Sequence, residues 1–294
     1  MRVVITGAHG QVGHELVNLA PDRFTVIPLG SNELNIANLD AVNKVIPQLK
    51  PDIIINAAAY TAVDKAESEP DKAYAVNRDG VANLGLVANG LDIPLLHIST
   101  DYVFSGDATK PYVEDDIPCP TGIYGVSKLA GEQALIKVNP RHLVLRTSWV
   151  FGFHGNNFVK TMLRLGQERK NLSIVSDQIG CPTSAISIAQ TLWGLVEEYD
   201  KMGRLYWGVY HFAGLPACSW YDFATEIFQQ AHGLGLLQEQ PVIKSITTKH
   251  FPTPAKRPAY SVLSGNALQS MYGISPVNWR SDLRAMLLEF FAAR

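Results

Sequence analysis

A glycine-spaced turn at the end of an apolar run constrains this chain more than any other feature. Residues 3–6 read as a short buried strand, and Gly7-Ala-His-Gly10-Gln-Val-Gly13 follows directly. Helical spacing resumes at Gln11. Strand, glycine turn and helix in that order open a dinucleotide-binding crossover. Gly7 would allow the tight turn, Gly10 a close approach of backbone to phosphate, and Gly13 close packing of helix on sheet. The exposed helix N-terminus then offers N–H groups and a favourable dipole to a pyrophosphate. The alternative is a strand–helix turn that uses glycine only for packing.

The rest of the first half repeats the alternation. Strands are expected near residues 24–29, 52–56, 94–99 and 142–147, and helices near 11–19, 41–49 and 70–88. A further helix is expected around Tyr124. The Ile53-Ile54-Ile55 run suggests a strand buried on both faces. Strands alternating with helices imply a parallel sheet covered on both sides, an α/β doubly wound, Rossmann-like fold. Residues 1–155 are read as the dinucleotide-binding domain. Short strands at 172–175 and 209–212 are expected to extend its sheet, so that segments near 172–214 complete it. Residues 215–294, with the proline-rich stretch Phe251-Pro-Thr-Pro-Ala-Lys-Arg-Pro258, are read mainly as a smaller substrate-binding domain.

Composition excludes several function classes. The chain has 294 residues, 47% of them hydrophobic and 18% charged, with a formal net charge of -2. Nothing in that balance draws it to nucleic acid or to an anionic membrane. No apolar run approaches a membrane span, and the start lacks a signal-peptide pattern. Three scattered cysteines form no metal spacing. A cytoplasmic location is expected. There is no GxSxG elbow and no HExxH, and the eight histidines show no ligand spacing.

The chemistry-bearing stretch is Tyr124-Gly-Val-Ser-Lys128. Four residues apart, a phenol and an ammonium share one helix face. A nearby cation stabilises a phenolate, so Tyr124 is expected to exchange a proton near neutral pH. On its own this spacing is common, and its bland reading is a half-buried tyrosine beside a solvated lysine. Its setting strengthens it. Ser99-Thr100-Asp101-Tyr102-Val-Phe104 follows the fourth strand, where loops form the ligand crevice of a parallel sheet. A hydroxyl there could share a substrate carbonyl oxygen with Tyr124. Asn56-Ala-Ala-Ala59-Tyr60-Thr61 offers small residues against which a flat ring or a ribose can lie. Trp149, after the fifth strand, could pack on a sugar or a thymine-like ring, or be core. At the end of the second strand, Leu29-Gly30-Ser31 has no acid until Glu33 and no nearby arginine. Ser31 tolerates a 2′-phosphate, which favours NADPH and leaves NADH possible.

With these residues placed, the chain resembles the extended short-chain dehydrogenases/reductases, and within them the dTDP-4-dehydrorhamnose reductases. The motifs run in the family's order over nearly the whole chain: GxxGQVG, Asn56 to Pro70, STDYVF, YGVSKLAGE, RTSWVF, GNNF, Asp177 to Thr183 and Arg257-Pro258. The resemblance implies reduction of a dTDP-linked 4-keto-6-deoxy sugar in dTDP-rhamnose biosynthesis for cell-surface polysaccharide. It implies a triad of Thr100, Tyr124 and Lys128. Gly10, Gln11 and Val12 would line the pyrophosphate, and Ala59, Tyr60 and Thr61 would lie along the cofactor. Asn35 and Ile36 would stand near adenine, and Asn77 would support Lys128 through water. Thr100, Asp101, Tyr102 and Trp149 would meet the substrate, with Asn156, Asn157 and Arg257 as nucleotide-sugar contacts.

The chain also departs from the pattern. Gly30 replaces an aspartate that some relatives carry. Some members form a Mg2+-bridged dimer through glutamates. Glu15 and Glu289 match two of those positions, but the third is Ile186, which cannot ligate Mg2+. No metal site is therefore expected, and monomer and homodimer both stay open. Another nucleotide 4-keto sugar as substrate remains an alternative. So does a catalytically silent subunit resembling the β subunit of methionine adenosyltransferase, or a redox-sensing Rossmann module.

Overall fold

The computed structural model describes residues 1–292. Its centre is a six-stranded parallel sheet built from β1 (Arg2–Thr6), β2 (Thr25–Leu29), β3 (Ile53–Asn56), β4 (Leu95–Thr100), β5 (His142–Thr147) and β10 (Gly208–His211). Between β5 and β10 lie β6 (Val150–Phe151), β7 (Asn171–Val175), β8 (Ile179–Gly180) and β9 (Thr183–Ser184). Beyond β10 come β11 (Cys218–Ser219) and β12 (Val242–Ile246). The order across the main sheet is β10-β5-β4-β3-β1-β2. From β1 the chain moves one way to β2 and then crosses back to β3 on the other side. The carboxyl ends of β1 and β3 therefore flank the switch point where a parallel sheet opens a crevice.

Helices cover both faces. In chain order they are α1 (Gln11–Asn18), α2 (Leu39–Leu49), α3 (Val63–Ala66), α4 (Pro70–Tyr74), α5 (Val81–Gly90), α6 (Ile123–Val138), α7 (Phe158–Glu168), α8 (Ala185–Met202), α9 (Trp220–Gly233), α10 (Asn266–Tyr272) and α11 (Trp279–Ala292). Val3, Ile5, Ile53 and Ile55 pack on one face with Leu16 of α1 and Ile188 and Leu192 of α8. Val4 and Ile54 pack on the other with Val42 of α2, Leu84 of α5 and Leu135 of α6. Both faces being buried explains the uninterrupted apolar runs of these strands. A second core lies beside the sheet, where Val159 of α7, Leu172 and Ile174 of β7, Phe223 and Ile227 of α9 and Leu283 of α11 meet.

Two expectations are corrected. Residues 172–175 do not extend the main sheet: β7 pairs in parallel with β12 instead, in register from Asn171 with Val242 to Val175 with Ile246. The cause is the pattern of Asn171-Leu172-Ser173-Ile174, where polar and apolar residues alternate and only one face is buried. A doubly covered sheet has no place for such a strand. The segment at 209–212 does join the sheet, as β10 beside β5. The long helix read at 70–88 is broken by a π-helical stretch, Ala75–Gly80, between α4 and α5. It carries Asn77 and presses its backbone so close to α6 that a Cβ at Gly131 would lie 1.9 Å from the Asn77 carbonyl oxygen.

Candidate active site

The glycine turn is shaped for close approach. Gly7 has φ +71°, and a Cβ there would lie 2.5 Å from the Ala58 nitrogen at the end of β3. A Cβ at Gly13 would lie 2.1 Å from the Gly7 carbonyl oxygen. Gly10 is exposed and caps α1 with no side-chain bond, so the first-turn N–H groups of Gln11, Val12 and Gly13 keep no side-chain partner. These features fit a dinucleotide pyrophosphate at the switch point.

The candidate reactive groups meet at the carboxyl end of β4. Thr100 ends that strand and caps the turn Asp101–Val103, its Oγ1 accepting from the Tyr102 N–H at 3.2 Å. The same hydroxyl donates to Asp101 Oδ1 at 3.1 Å. Tyr124 and Lys128 stand one turn apart on α6. That helix is held tightly against its neighbours through small residues. A Cβ at Gly125 would lie 2.2 Å from the Tyr102 carbonyl oxygen. Ser127 Oγ donates to the Tyr124 carbonyl oxygen at 2.8 Å and accepts from Asn77 Nδ2 at 3.0 Å. Glu67 accepts from the Ile123 N–H at 2.9 Å, on the first turn of α6. The Tyr102 and Tyr124 rings meet edge to face, centroids 5.4 Å apart.

The electrostatics differ from the sequence expectation. Burial pushes the Tyr124 phenol above its ordinary value, and a hydrogen bond with Thr100 pulls it only partly back. Lys128 does not offset this, because its ammonium turns toward β4. Its Nζ donates to the Ile98 carbonyl oxygen at 2.7 Å and lies 3.3 Å from His97 Nε2. Nor is Lys128 a solvated lysine: its side chain is 2% exposed, and burial lowers it to about 8. Asp101 is also buried, which pushes it up to about 7. A protonated phenol beside a buried, readily neutralised amine can act as an acid.

The other candidate residues divide into groups. Arg257 lies beside Tyr102, its Nη1 donating to the Tyr102 hydroxyl at 3.1 Å and its Nη2 pairing with Asp64 at 2.9 Å. Trp149, at φ +46°, stacks face to face on Trp220 with centroids 3.5 Å apart, so protein already occupies one of its faces. Asn157 donates to Gln11 Oε1 at 3.0 Å and to the Gly152 carbonyl oxygen at 2.7 Å, and accepts from the Lys160 N–H at 3.1 Å. It braces the glycine turn against α7, its amide fully used, instead of standing free for a nucleotide sugar. Asn156 is exposed beside it. Asn77 is committed in the same way. Its Oδ1 accepts from the Tyr60 N–H at 2.8 Å, and its Nδ2 donates to the Tyr60 carbonyl oxygen at 3.1 Å as well as to Ser127. Its side chain therefore locks the Ala59-Tyr60-Thr61 loop to α6 and acts on Lys128 through helix placement. Ile36 is buried against Gly80, and Asn35 Oδ1 accepts from the Ala37 N–H at 3.1 Å. Ser31 is exposed.

Several residues at the site carried no recognisable signal. Asp64 and Trp220 come in through their partners. Beneath the triad, Arg146 of β5 pairs with Glu132 of α6 at 2.7 Å, both nearly fully buried, and Ser99 donates to Glu132 as well.

The RmlD substrate binding domain family matches residues 1–291. A dTDP-4-dehydrorhamnose reductase of Aggregatibacter actinomycetemcomitans is 46% identical over 285 residues, covering 96% of this chain and 97% of that one. The chain belongs to the dTDP-4-dehydrorhamnose reductase family. Two crystal structures from this family share its fold. One from Clostridium acetobutylicum has a TM-score of 0.92 at 40% identity and covers 99% of both chains. One from Bacillus anthracis, in complex with NADP, has a TM-score of 0.90 at 38% identity and covers 98% of this chain and 99% of that one.

Two family features bear on what this member can hold. At the end of β2, a Cβ on Gly30 would lie 2.3 Å from His9 Nδ1. The acid missing from that position is supplied from three residues on, as Glu33 Oε2 accepts from the Gly30 N–H at 2.8 Å. The magnesium-bridged dimer of some family members finds a poor fit. Burial raises the Glu15 carboxyl, and Glu289 raises it further, but Ile186 brings no oxygen. Among the described residues no group of three or more histidine, cysteine or acidic side chains is placed to hold a metal ion. No described helix is long and apolar enough to cross a membrane.

Proposed function

We propose that this chain reduces the C4 keto group of dTDP-4-dehydro-L-rhamnose to give dTDP-L-rhamnose, with Tyr124 as the proton donor. The observation that carries this reading is the meeting of Thr100, Tyr124 and Lys128 at the carboxyl end of β4, in a fold whose glycine turn is open to a dinucleotide. NADPH, when bound, supplies the hydride that adds to C4. As the carbonyl oxygen gains charge, Tyr124 gives it the phenolic proton and the product is the alcohol. Thr100 adds a hydroxyl beside that oxygen, and Lys128, on turning its amine from the Ile98 carbonyl oxygen toward the phenol, stabilises the phenolate left on Tyr124. Arg257, held by Asp64, fixes the Tyr102 hydroxyl at the edge of the same crevice. Gln11, tied to Asn157, couples the pyrophosphate turn to the second core. A nucleotide sugar and a nicotinamide cofactor are both cytoplasmic pools, and we place the enzyme there.

The test is spectrophotometric. The 4-keto sugar is generated in situ, the protein is added, and oxidation of NADPH and of NADH is followed separately. Tyr124→Phe is expected to lose about 10²- to 10⁴-fold in turnover, the range for a positioned acid, with cofactor binding nearly intact. Unchanged turnover in that variant sinks the triad assignment. No oxidation of either cofactor by the folded wild-type chain favours the silent-subunit reading.

A further inference from the structure

We propose that His9 is the residue that distinguishes NADPH from NADH in this chain, donating from the glycine turn to the 2′-phosphate of the adenine ribose. The inference deepens the reductase reading, on which it rests for the identity of the cofactor. The end of β2 lacks the usual reader. In a doubly wound sheet the adenine ribose lies there, where an acid binds a 2′-OH and a nearby arginine accommodates a 2′-phosphate. Here β2 runs into Gly30-Ser31-Asn32-Glu33, and no lysine or arginine stands between Arg23 and Lys44. Arg23 is taken by Glu197, 3.1 Å away. A donor for the phosphate has to come from another part of the chain.

Backbone contacts bring His9 to that place. The Ala8 N–H donates to the Leu29 carbonyl oxygen at 3.2 Å, which ties the glycine turn to the last residue of β2. The Gly10 N–H donates to the Gly7 carbonyl oxygen at 3.0 Å and closes the turn around residues 8 and 9. The imidazole of His9 then lies against Gly30, where an added Cβ would stand 2.3 Å from Nδ1 and 2.6 Å from Cε1. A larger residue at position 30 would push the ring aside, so the loss of an acid there and the arrival of the imidazole go together. Glu33 Oε2 would stand 2.7 Å from the same Cβ. A donor and an acceptor therefore converge on one point at the end of β2. His9 is exposed, and neither ring nitrogen has a hydrogen-bond partner among the described residues. Its ring neighbour is His14, with centroids 6.4 Å apart, and His14 itself stacks on His154 at 4.2 Å.

His9 and Glu33 divide the two cofactors between them. A 2′-OH can donate to a carboxylate, so Glu33 serves NADH. A 2′-phosphate is an anion that only accepts, so Glu33 opposes it and His9 is the group that can donate to it. An imidazole presents an N–H in either protonation state. The exposed hydroxyl of Ser31 adds an uncharged donor beside it. Preference at such a site is the difference between two affinities, and His9 is the side chain that tips it toward the phosphorylated cofactor.

The test uses cofactor fragments, which carry no nicotinamide and need no turnover. Binding of adenosine 2′,5′-bisphosphate and of adenosine 5′-monophosphate is measured by calorimetry on wild type, His9→Ala and His9→Lys. The side chain is on the surface, so neither substitution disturbs a core. His9→Ala is expected to weaken the bisphosphate about tenfold, the equivalent of one charge-assisted hydrogen bond, and to leave the monophosphate nearly unchanged. His9→Lys keeps a donor within reach of the phosphate and is expected to hold at least the wild-type preference. The ratio of kcat/KM for NADPH over NADH should fall in His9→Ala alongside the fragment affinities. Equal losses for both fragments, no loss for either, or a lysine variant as weak as alanine overturns the proposal. Discrimination that follows His9 in a protein that oxidises neither cofactor leaves this inference standing and removes the reductase reading. Turnover whose cofactor ratio ignores His9→Ala does the reverse.

Discussion

Lys128→Met is expected to remove activity and, at neutral pH, to make the protein more stable. The reasoning starts from burial. Lys128 is 2% exposed, and burial lowers it from 10.5 to about 8. The unfolded chain therefore binds this proton more tightly than the folded one. Between about 8 and 10.5 the unfolded state carries the extra proton, so wild-type stability rises with pH across that window. Below it the penalty is fully present and amounts to about 3 kcal/mol. Methionine is similarly long, flexible and apolar, so it fills the space without the charge. It also gives up the contacts to Ile98 and His97, each of about 1 kcal/mol. The net expectation at pH 7 is a gain of about 1 kcal/mol, shrinking and then reversing as pH climbs toward 10.5. Urea unfolding of both proteins at a series of pH values measures it. A stability difference that stays flat between pH 7.5 and 10.5 would refute the argument, because it would mean that Lys128 titrates alike in the folded and unfolded chains.

Two further substitutions test the cofactor end. Gly13→Ala must move α1 off β1, since its Cβ would lie 2.1 Å from the Gly7 carbonyl oxygen. It is expected to cost about 1–3 kcal/mol of stability and to raise the KM for NADPH, whereas Gly90→Ala, with nothing within 4 Å of its Cβ, leaves both nearly unchanged. Equal behaviour of the two variants in a thermal melt and a KM measurement counts against a tight turn at Gly13. Glu33 brings its carboxylate back to the Gly30 N–H at 2.8 Å, where it opposes a 2′-phosphate. Glu33→Gln should raise the ratio of kcat/KM for NADPH over NADH several-fold, and an unchanged ratio removes Glu33 from cofactor choice.

The strands of the main sheet were legible because burial on both faces leaves a mark that one sequence can show. Ile53, Ile54 and Ile55 are all fully buried, and no residue in that run is polar. Residues 172–175 carry the opposite mark, alternation, which suits the one-sided β7–β12 pair and not the doubly covered sheet. The π-helical stretch at Ala75–Gly80 left no mark, because the apolar spacing runs on through it. Residue types at the site were readable, but partners were not. Asn157 meets Gln11 across 146 residues of chain, and Arg257 meets Asp64 across 193. Whether an asparagine faces a ligand or a neighbouring loop is settled by those distant contacts. The direction of the Tyr124 ionisation was hidden for a similar reason: helical spacing places Lys128 near the phenol but does not reveal that its amine turns to Ile98 and His97.

The polar groups of this site make sense only together. Thr6, Asn56, His97, Ser99, Thr100, Arg146 and Thr147 are all buried toward the carboxyl ends of β1, β3, β4 and β5, in strands whose other residues are mostly valine, leucine and isoleucine. Most are paired. Among the described residues three buried side-chain atoms have no partner, and two of them, Asp101 Oδ2 and Thr147 Oγ1, lie here. Thr147 is the register partner of Thr100. An unmet buried polar atom costs about 1–3 kcal/mol, comparable to the cost of Lys128. Removing an unmatched group there, such as the Thr147 hydroxyl, would give a more stable fold. The cost falls where the sheet opens, around the tyrosine proposed as the proton donor, and the two apolar cores on either side carry it. On this argument stability and chemistry oppose each other at the end of β4, so substitutions there that strengthen the fold should weaken turnover.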